Sequence, residues 1–195
     1  MSTDPLQTPR PTNHPYPHQY VGTFRLRDGR EVVVRPIVPE DEPLIVAMHA
    51  SHSEHTLRMR FFSLVKTLSR DSLIRLCHLD YGREMALVAV WREGGAERFA
   101  GVARYYLHPE SGTAEFALVV GDAWQRQGLG GHLMARLAEV ARERGVRRLR
   151  GLVLGENAPM LALMQKLGFA AGDGPEPGVV AVAKELPSPD GSPRV

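Results

Sequence analysis

The stretch from Ala114 to Ala141 constrains this chain more than any other, because it joins a strand-like run to an amphipathic helix through a glycine-rich turn. Ala114 to Val120 is apolar and β-rich. Gly121-Asp122 and Trp124-Gln125-Arg126-Gln127-Gly128-Leu129-Gly130-Gly131 follow. Leu129, Leu133, Met134, Leu137, Val140 and Ala141 then recur at helical spacing, and Gly145 ends the helix. Glycines let a backbone curl closely around a ligand. The N–H groups of a first helical turn lack partners inside the helix, and together with the helix dipole they favour an anion. Pyrophosphate suits such a turn, but nucleotide folds and ordinary tight turns share the same glycines, so this segment alone leaves the ligand open.

The rest of the chain places this unit inside a larger sheet. Thr23 to Arg27 and Glu31 to Arg35 flank Asp28-Gly29, which favours the positive φ angles of a hairpin turn. Pro39-Glu40-Asp41-Glu42 sets acids at the start of a helical run, and further helices are predicted from Ser53 and from Ser69, with Ser69 and Ser72 as a cap pair. From Met85 the period becomes that of strands: Met85 to Trp91, Phe99 to Leu107 and Thr113 to Val120 read as an antiparallel meander broken at Gly94-Gly95 and Pro109 to Gly112. After the long helix, Leu149 to Leu154 is a strand, Asn157 caps a short helix ending at Gly168, and Val179 to Glu185 is the last strand.

At 195 residues and 43% hydrophobic content the chain suits one domain with a full core. Residues 1–20 carry five prolines and few aliphatics and read as a disordered tail, as do residues 187–195, leaving a folded domain over 21–186. The net charge of +2 argues against a nucleic-acid partner. A single cysteine, Cys77, excludes an intrachain disulfide and a cysteine-only metal site, and its apolar neighbours make it a core residue. No apolar run reaches the ~18 residues of a membrane span, and the N-terminus lacks the apolar stretch of a secretory signal, so a cytoplasmic location is expected.

Three patterns in order carry a resemblance. Gln125, Gly128 and Gly130 form a Gln-x-x-Gly-x-Gly pattern, Glu156-Asn157 and Lys166-Leu167-Gly168-Phe169 follow about thirty residues later, and Arg35-Pro36-Ile37-Val38-Pro39-Glu40-Asp41 opens the core. Together they resemble the GNAT superfamily of N-acetyltransferases. Leu26-Arg27-Asp28-Gly29, Arg60-Phe61-Phe62, Arg83 to Val88 and Ala114-Glu115-Phe116-Ala117 are similar more narrowly to the acetyltransferase domain of bacterial protein lysine acetyltransferases, the Pat family. Many Pat members carry a second large domain, and 195 residues are expected to hold the acetyltransferase domain without it. The resemblance implies an α/β (α+β) fold with a mixed, largely antiparallel sheet flanked by helices, acetyl-CoA as co-substrate, no metal, and a protein acceptor such as an acyl-CoA synthetase.

It also implies site residues. Pyrophosphate would lie on Gln125, Arg126, Gln127, Gly128, Leu129 and Gly130. The pantetheine arm would run along the backbone of Leu118, Val119 and Val120, with Asn157 contacting the arm, capping its helix, or both. Glu115 is the matching general base, and its sequence neighbours Ala114, Phe116 and Ala117 suggest an apolar setting that would raise a carboxylate towards neutrality; the alternative is a strand glutamate paired with an arginine such as Arg104. Met164 stands where many relatives carry the tyrosine that protonates the leaving thiolate, leaving water, Tyr105 or Tyr106, or direct departure. A small-molecule amine acetyltransferase and a non-catalytic acyl-CoA-binding regulator remain open beside the protein acetyltransferase. His49, His52 and His55 are three apart, yet Ser51 and Ser53 imply a helix break between them, which argues against a metal site. The basic run Arg142, Arg144, Arg147, Arg148 and Arg150 reads first as cations at a helix C-terminus.

Overall fold

The computed structural model describes residues 14–62 and 67–187. Its strands are β1 (Gly22–Arg25), β2 (Glu31–Pro36), β3 (Glu84–Glu93), β4 (Ala96–His108), β5 (Thr113–Val120), β6 (Arg148–Leu154), β7 (Ala170–Asp173) and β8 (Val179–Glu185). The helices are α1 (Glu42–Ser51), α2 (Glu54–Phe61), α3 (Arg70–Cys77), α4 (Leu129–Glu143) and α5 (Ala158–Lys166). One sheet runs in the order β1-β2-β3-β4-β5-β6-β8-β7, and every neighbouring pair is antiparallel except β5 with β6. The expected mixed, largely antiparallel sheet flanked by helices is the fold observed. The short edge strand β7 was not read from the sequence, because Ala170-Ala171-Gly172-Asp173 has neither β-branched residues nor alternation.

Turn and cap chemistry explains why the elements stop where they do. Gly29 takes φ +91° in the β1–β2 turn. Ser53 and Ser69 accept from the backbone N–H of Thr56 and Ser72, capping α2 and α3. Asp41 is 3% exposed and receives both guanidinium nitrogens of Arg35 at 2.7 Å plus the N–H of Val38 at 2.9 Å, so Arg35-Pro36 to Asp41 is a buried ion pair tying β2 to the start of α1. Leu129, Leu133, Met134, Leu137, Val140 and Ala141 form the buried stripe of α4, which covers the sheet over β4. On the opposite face lie α1 to α3, against Val102 and Arg104 of β4 and Ala117 and Val119 of β5.

The tail expected over residues 1–20 ends sooner than proline content suggested. Residues 18–20 form a short 3₁₀ turn, Tyr20 is 5% exposed, and the Tyr16 hydroxyl donates to the Pro36 carbonyl at 3.1 Å. Two tyrosines bury enough ring surface to order a segment otherwise poor in apolar residues. Residues 1–13 and 188–195, and with them most of both expected tails, lie outside the described residues.

One irregularity shapes everything downstream. β5 pairs with β6 only at Thr113, Ala114 and Glu115, opposite Arg148, Leu149 and Arg150. Beyond that point the strands part. Phe116 lies where pairing stops, with its ring against Gly151 so closely that a Cβ there would come within 2.8 Å of it, and with Phe169 edge-on at 5.2 Å.

A second tie joins the two sides of this fork. The Asp122 carboxylate, just after β5, accepts from the Ser53 N–H at 2.7 Å, the Ser53 hydroxyl at 3.1 Å and the Thr56 hydroxyl at 2.6 Å. Gln125 Nε2 donates to Thr56 Oγ1 and to the Val120 carbonyl. The N-terminus of α2 is thereby held on the turn that follows β5.

Two outcomes follow for stability. Gly151→Ala forces the Phe116 ring to move and should cost about 1–3 kcal/mol by overpacking, read as a lower midpoint in denaturant unfolding. Asp122→Asn should cost about 1 kcal/mol at neutral pH, the low end for a charge-assisted bond because the carboxylate is exposed. Burial pushes the Asp122 carboxyl up, but the bonds from Thr56 and Ser53 outweigh it and hold its pKa below the ordinary value. A depressed folded pKa means the contribution is complete above the unfolded carboxylate value and fades as pH falls through the folded one. The Asn variant should therefore lose its deficit relative to the parent only in acid.

Candidate active site

Where β5 leaves β6, the backbone groups of Phe116 to Val120 that point away from β4 have no strand partner among the described residues, and the Val120 carbonyl accepts from the Gln125 side chain instead. The gap is a cleft of about 770 Å³, walled by β5, α2, the turn into α4, and β6 with the start of α5. An unpaired strand edge of this length offers hydrogen bonds to an extended chain laid beside it.

At one end of the cleft lies the start of α4. Gly128 caps it in the left-handed region at φ +86°, and among the described residues no side-chain cap bonds the first-turn N–H groups. Gly130 and Gly131 line the cleft there. Arg126 takes φ +61°, a conformation uncommon for a residue with a side chain, and lines the cleft beside them. Unpaired N–H groups, a helix dipole and an adjacent guanidinium make an anion site.

The β1–β2 turn clamps this loop. The Arg27 N–H donates to the Gln127 carbonyl at 3.2 Å, Arg27 Nη1 to the Arg126 carbonyl at 3.4 Å, and the Asp28 N–H to Gln127 Oε1 at 3.1 Å. Phe24 stacks on His132 of α4 with centroids 4.0 Å apart, and Arg30 lies over the Trp124 ring at 4.0 Å. Arg27 also lines the cleft, adding a second cation at its anionic end. Sequence reasoning noted Leu26-Arg27-Asp28-Gly29 as a motif but not its place against the loop, because ~100 residues separate the two segments and no local signal connects them.

Of the residues expected to bind the coenzyme, Leu118, Val119, Val120, Gln125, Arg126, Gly128, Gly130 and Asn157 line the cleft, together with Glu115. Two do not. Gln127 turns its side chain to the β1–β2 hairpin, and the Leu129 side chain is buried in the core, leaving only its backbone near the turn. Gln125 borders the cleft, with its amide nitrogen committed to Thr56 and Val120. Asn157 Oδ1 accepts from the Met160 N–H at 3.2 Å, so it does cap α5.

Glu115 corrects an expectation. Ala114 and Phe116 flank it in sequence but point to the other face of β5, so they do not enclose it, and the carboxylate is exposed to the cleft. Its ionic partner is Arg150, directly across the parallel register on β6, at 3.5 Å, rather than Arg104. Arg104 instead donates to the carbonyls of Arg75 and Leu76 and reaches Glu84 at 3.4 Å.

Of the candidate thiolate acids, Tyr105 is buried, with its phenol driven up to about 12 by burial, and Tyr106, opposite Glu115 in the β4–β5 register, is half-buried and does not line the cleft; Met164 is 1% exposed in the core. No tyrosine lines the cleft among the described residues. Cys77 is likewise buried, its thiol pushed up to about 12 by burial, which suits packing and not nucleophilic chemistry. Of the basic run, Arg144 bonds the Tyr81 carbonyl, while Arg147 on the Ser111 carbonyl, Arg148 on Glu185 and Arg150 on Glu115 make exposed contacts. Among the described residues no group of three or more His, Cys, Asp or Glu could hold a metal ion, and no helix is long and apolar enough to cross a membrane.

Comparison with known proteins agrees with this geometry. Residues 52–169 match the Acetyltransferase (GNAT) family. The chain is 34% identical over 151 residues to the acetyltransferase PA5475 of Pseudomonas aeruginosa, covering 77% of this chain and 81% of that protein. It is 32% identical over 167 residues to the acetyltransferase Pat of Mycolicibacterium smegmatis, covering 85% of this chain but only 49% of that longer protein. In three dimensions it resembles the GNAT domain of S. lividans PAT with a TM-score of 0.80 and 31% identity, covering 88% of this chain and 100% of that domain. An unpaired strand edge leading to a glycine-rich anion site is what a coenzyme with a pantetheine arm and a pyrophosphate requires, and this chain belongs to the GNAT family of acetyl-CoA-dependent acetyltransferases.

Proposed function

We propose that this chain transfers the acetyl group of acetyl-CoA to a lysine side chain of a protein, such as an acyl-CoA synthetase, by direct attack within a ternary complex, in the cytoplasm. The observation that carries the reading is the place of Glu115: a carboxylate at the fork where β5 leaves β6, open to the cleft and facing α2. The narrower similarity to Pat acetyltransferases supports a protein acceptor.

The chemistry divides along the cleft. The N–H groups at the start of α4, with Arg126 and Arg27, hold the pyrophosphate, while the free edge of β5 takes the arm. An amine attacks only when neutral, and a lysine with a pKa near ~10.4 arrives protonated, so a carboxylate that accepts its proton promotes the step. Glu115 takes that proton, directly or through one water. Its pairing with Arg150 fixes the carboxylate at the fork. As the amine nitrogen bonds the thioester carbon, negative charge grows on the carbonyl oxygen, and a free N–H on β5 stabilises it. As the carbon–sulfur bond breaks, the nitrogen releases its second proton and the thiolate takes one up, both by way of water, since no tyrosine of the described residues stands in the cleft.

Mass spectrometry of an acyl-CoA synthetase incubated with acetyl-CoA and this protein should show a gain of about 42 Da, the mass of one acetyl group replacing hydrogen, that is absent without the protein. Acetylation of small amines alone would replace the protein acceptor with a small one. Glu115→Gln should lower kcat about 10²–10⁴-fold with coenzyme affinity retained. A fully active Gln variant would remove Glu115 from the mechanism, and coenzyme binding with no turnover in the parent would favour a regulator. Arg27→Ala should raise the KM for acetyl-CoA about tenfold by loss of one charge-assisted contact, and KM for the acceptor should stay within about twofold.

A further inference from the structure

α2 contributes one side chain that the transfer chemistry leaves unexplained. Arg60 lies in the last turn of α2 and lines the acceptor end of the cleft with Glu115. It also borders a smaller, mostly apolar cavity of about 50 Å³ that continues behind Ala117 and Val119 towards α1 and α3. Its guanidinium sits over the Phe61 ring at 4.8 Å from the centroid, and among the described residues it makes no hydrogen bond and no ion pair.

Neighbouring arginines are committed elsewhere. Arg58 pairs with Glu156 at 2.8 Å, Arg104 with Glu84 and two carbonyls, and Arg150 with Glu115. Arg27 and Arg126 stand at the coenzyme end. Among the described residues Arg60 is therefore the cation at the acceptor end of the cleft with no hydrogen-bonded or ion-paired anion, Glu115 acting on it only from a distance.

Holding a partly buried cation without a counter-ion costs stability. Burial draws the Arg60 guanidinium down to about 10, with Arg104 adding to the effect and Glu115 opposing it, so the group still carries its charge at neutral pH. The helix that presents it is held at its N-terminus by Asp122 and along its side by the Arg58–Glu156 pair, so the guanidinium is placed rather than free to swing away. A planar fork of donors in such a position matches a carboxylate.

We propose that Arg60 receives a carboxylate carried by the acceptor, so that the preferred acceptor lysine has an aspartate or glutamate beside it. This deepens the protein-acceptor reading and rests on it. The acceptor then brings its ammonium to Glu115 and its carboxylate to Arg60, matching the order of charges in the cleft. A lysine among neutral residues leaves Arg60 without its anion, and one among basic residues meets repulsion.

The test compares two peptides, Gly-Glu-Lys-Glu-Gly and Gly-Gln-Lys-Gln-Gly with blocked ends, as acceptors at saturating acetyl-CoA. The acidic peptide should have a kcat/KM about tenfold or more above the neutral one, carried by KM. Arg60→Gln should collapse that ratio to near one, and Arg60→Lys should retain part of it. Because the readout is a ratio within one preparation, partial loss of folded enzyme does not imitate the effect. Equal use of both peptides by the parent, or a preference that survives Arg60→Gln, overturns the assignment while leaving lysine acetylation standing. If neither peptide is acetylated but small amines are, the protein-acceptor reading and this deepening of it both fail.

Discussion

The structure turns on a pairing that stops after three residues. β5 and β6 are the only parallel neighbours in the sheet, and they hold register at Thr113, Ala114 and Glu115 before separating. Had pairing continued to Val120, the free edge that walls the cleft would be consumed by β6. The parting has a visible cause in side-chain volume: Phe116 occupies the space over Gly151, and Phe169 braces it from beyond α5. Parallel strands in any case need a long crossover, here α4, and the turn into that helix lands beside the opening. A sheet fault and an anion site are thus produced by the same β-α-β unit.

An open fork must be kept open on both sides, and polar ties do this. On the coenzyme side the β1–β2 turn bonds the loop through Arg27 and Asp28, with Phe24 on His132 and Arg30 on Trp124 adding stacked contacts. On the acceptor side Asp122 and Gln125 hold the N-terminus of α2. Both ties grip one continuous segment, Gly121 to Gln127. The glycine-rich loop that forms the anion site is therefore also the part that holds α2, and the two sides of the cleft are joined through a few short hydrogen bonds.

How much of this is legible in the sequence depends on the range of each interaction. Elements set by local chemistry are read correctly: Ser53 and Ser69 as caps, Asp28-Gly29 as a turn, Asn157 as a cap, Gly145 and Gly168 as stops, and β8 from Val179 to Glu185. The glycine loop and the strand before it locate most of the cleft. What fails is inference from sequence neighbours to spatial neighbours. Ala114 and Phe116 flank Glu115 in the chain but lie on the other face of the strand, so the apolar enclosure expected for it is replaced by Arg150 from β6. The hairpin clamp, the Asp122 tie and the ordering of Tyr16 and Tyr20 are all long-range, and no periodicity or turn signal announces them.

The distribution of arginine along the cleft ties these observations to function. A cation in a fold is normally satisfied by a carboxylate or by carbonyl oxygens, and most here are: Arg35 on Asp41, Arg104 on Glu84, Arg58 on Glu156, Arg147 on a carbonyl. Arg27 and Arg126 differ, since they line the cleft where first-turn N–H groups also lack protein partners. Donors left in excess at one place mark where acceptors come from a ligand, and at the α4 end an anion such as a phosphate group fits them. The same accounting at the other end finds Arg60 beside Glu115. Glu115 is paired with Arg150 and also offsets part of the Arg60 charge from a distance, so with two guanidinium groups facing one carboxylate the charge left over there is positive. A site meant for an isolated amine would gain from the opposite sign; positive charge there favours an acceptor whose amine arrives with its own anion.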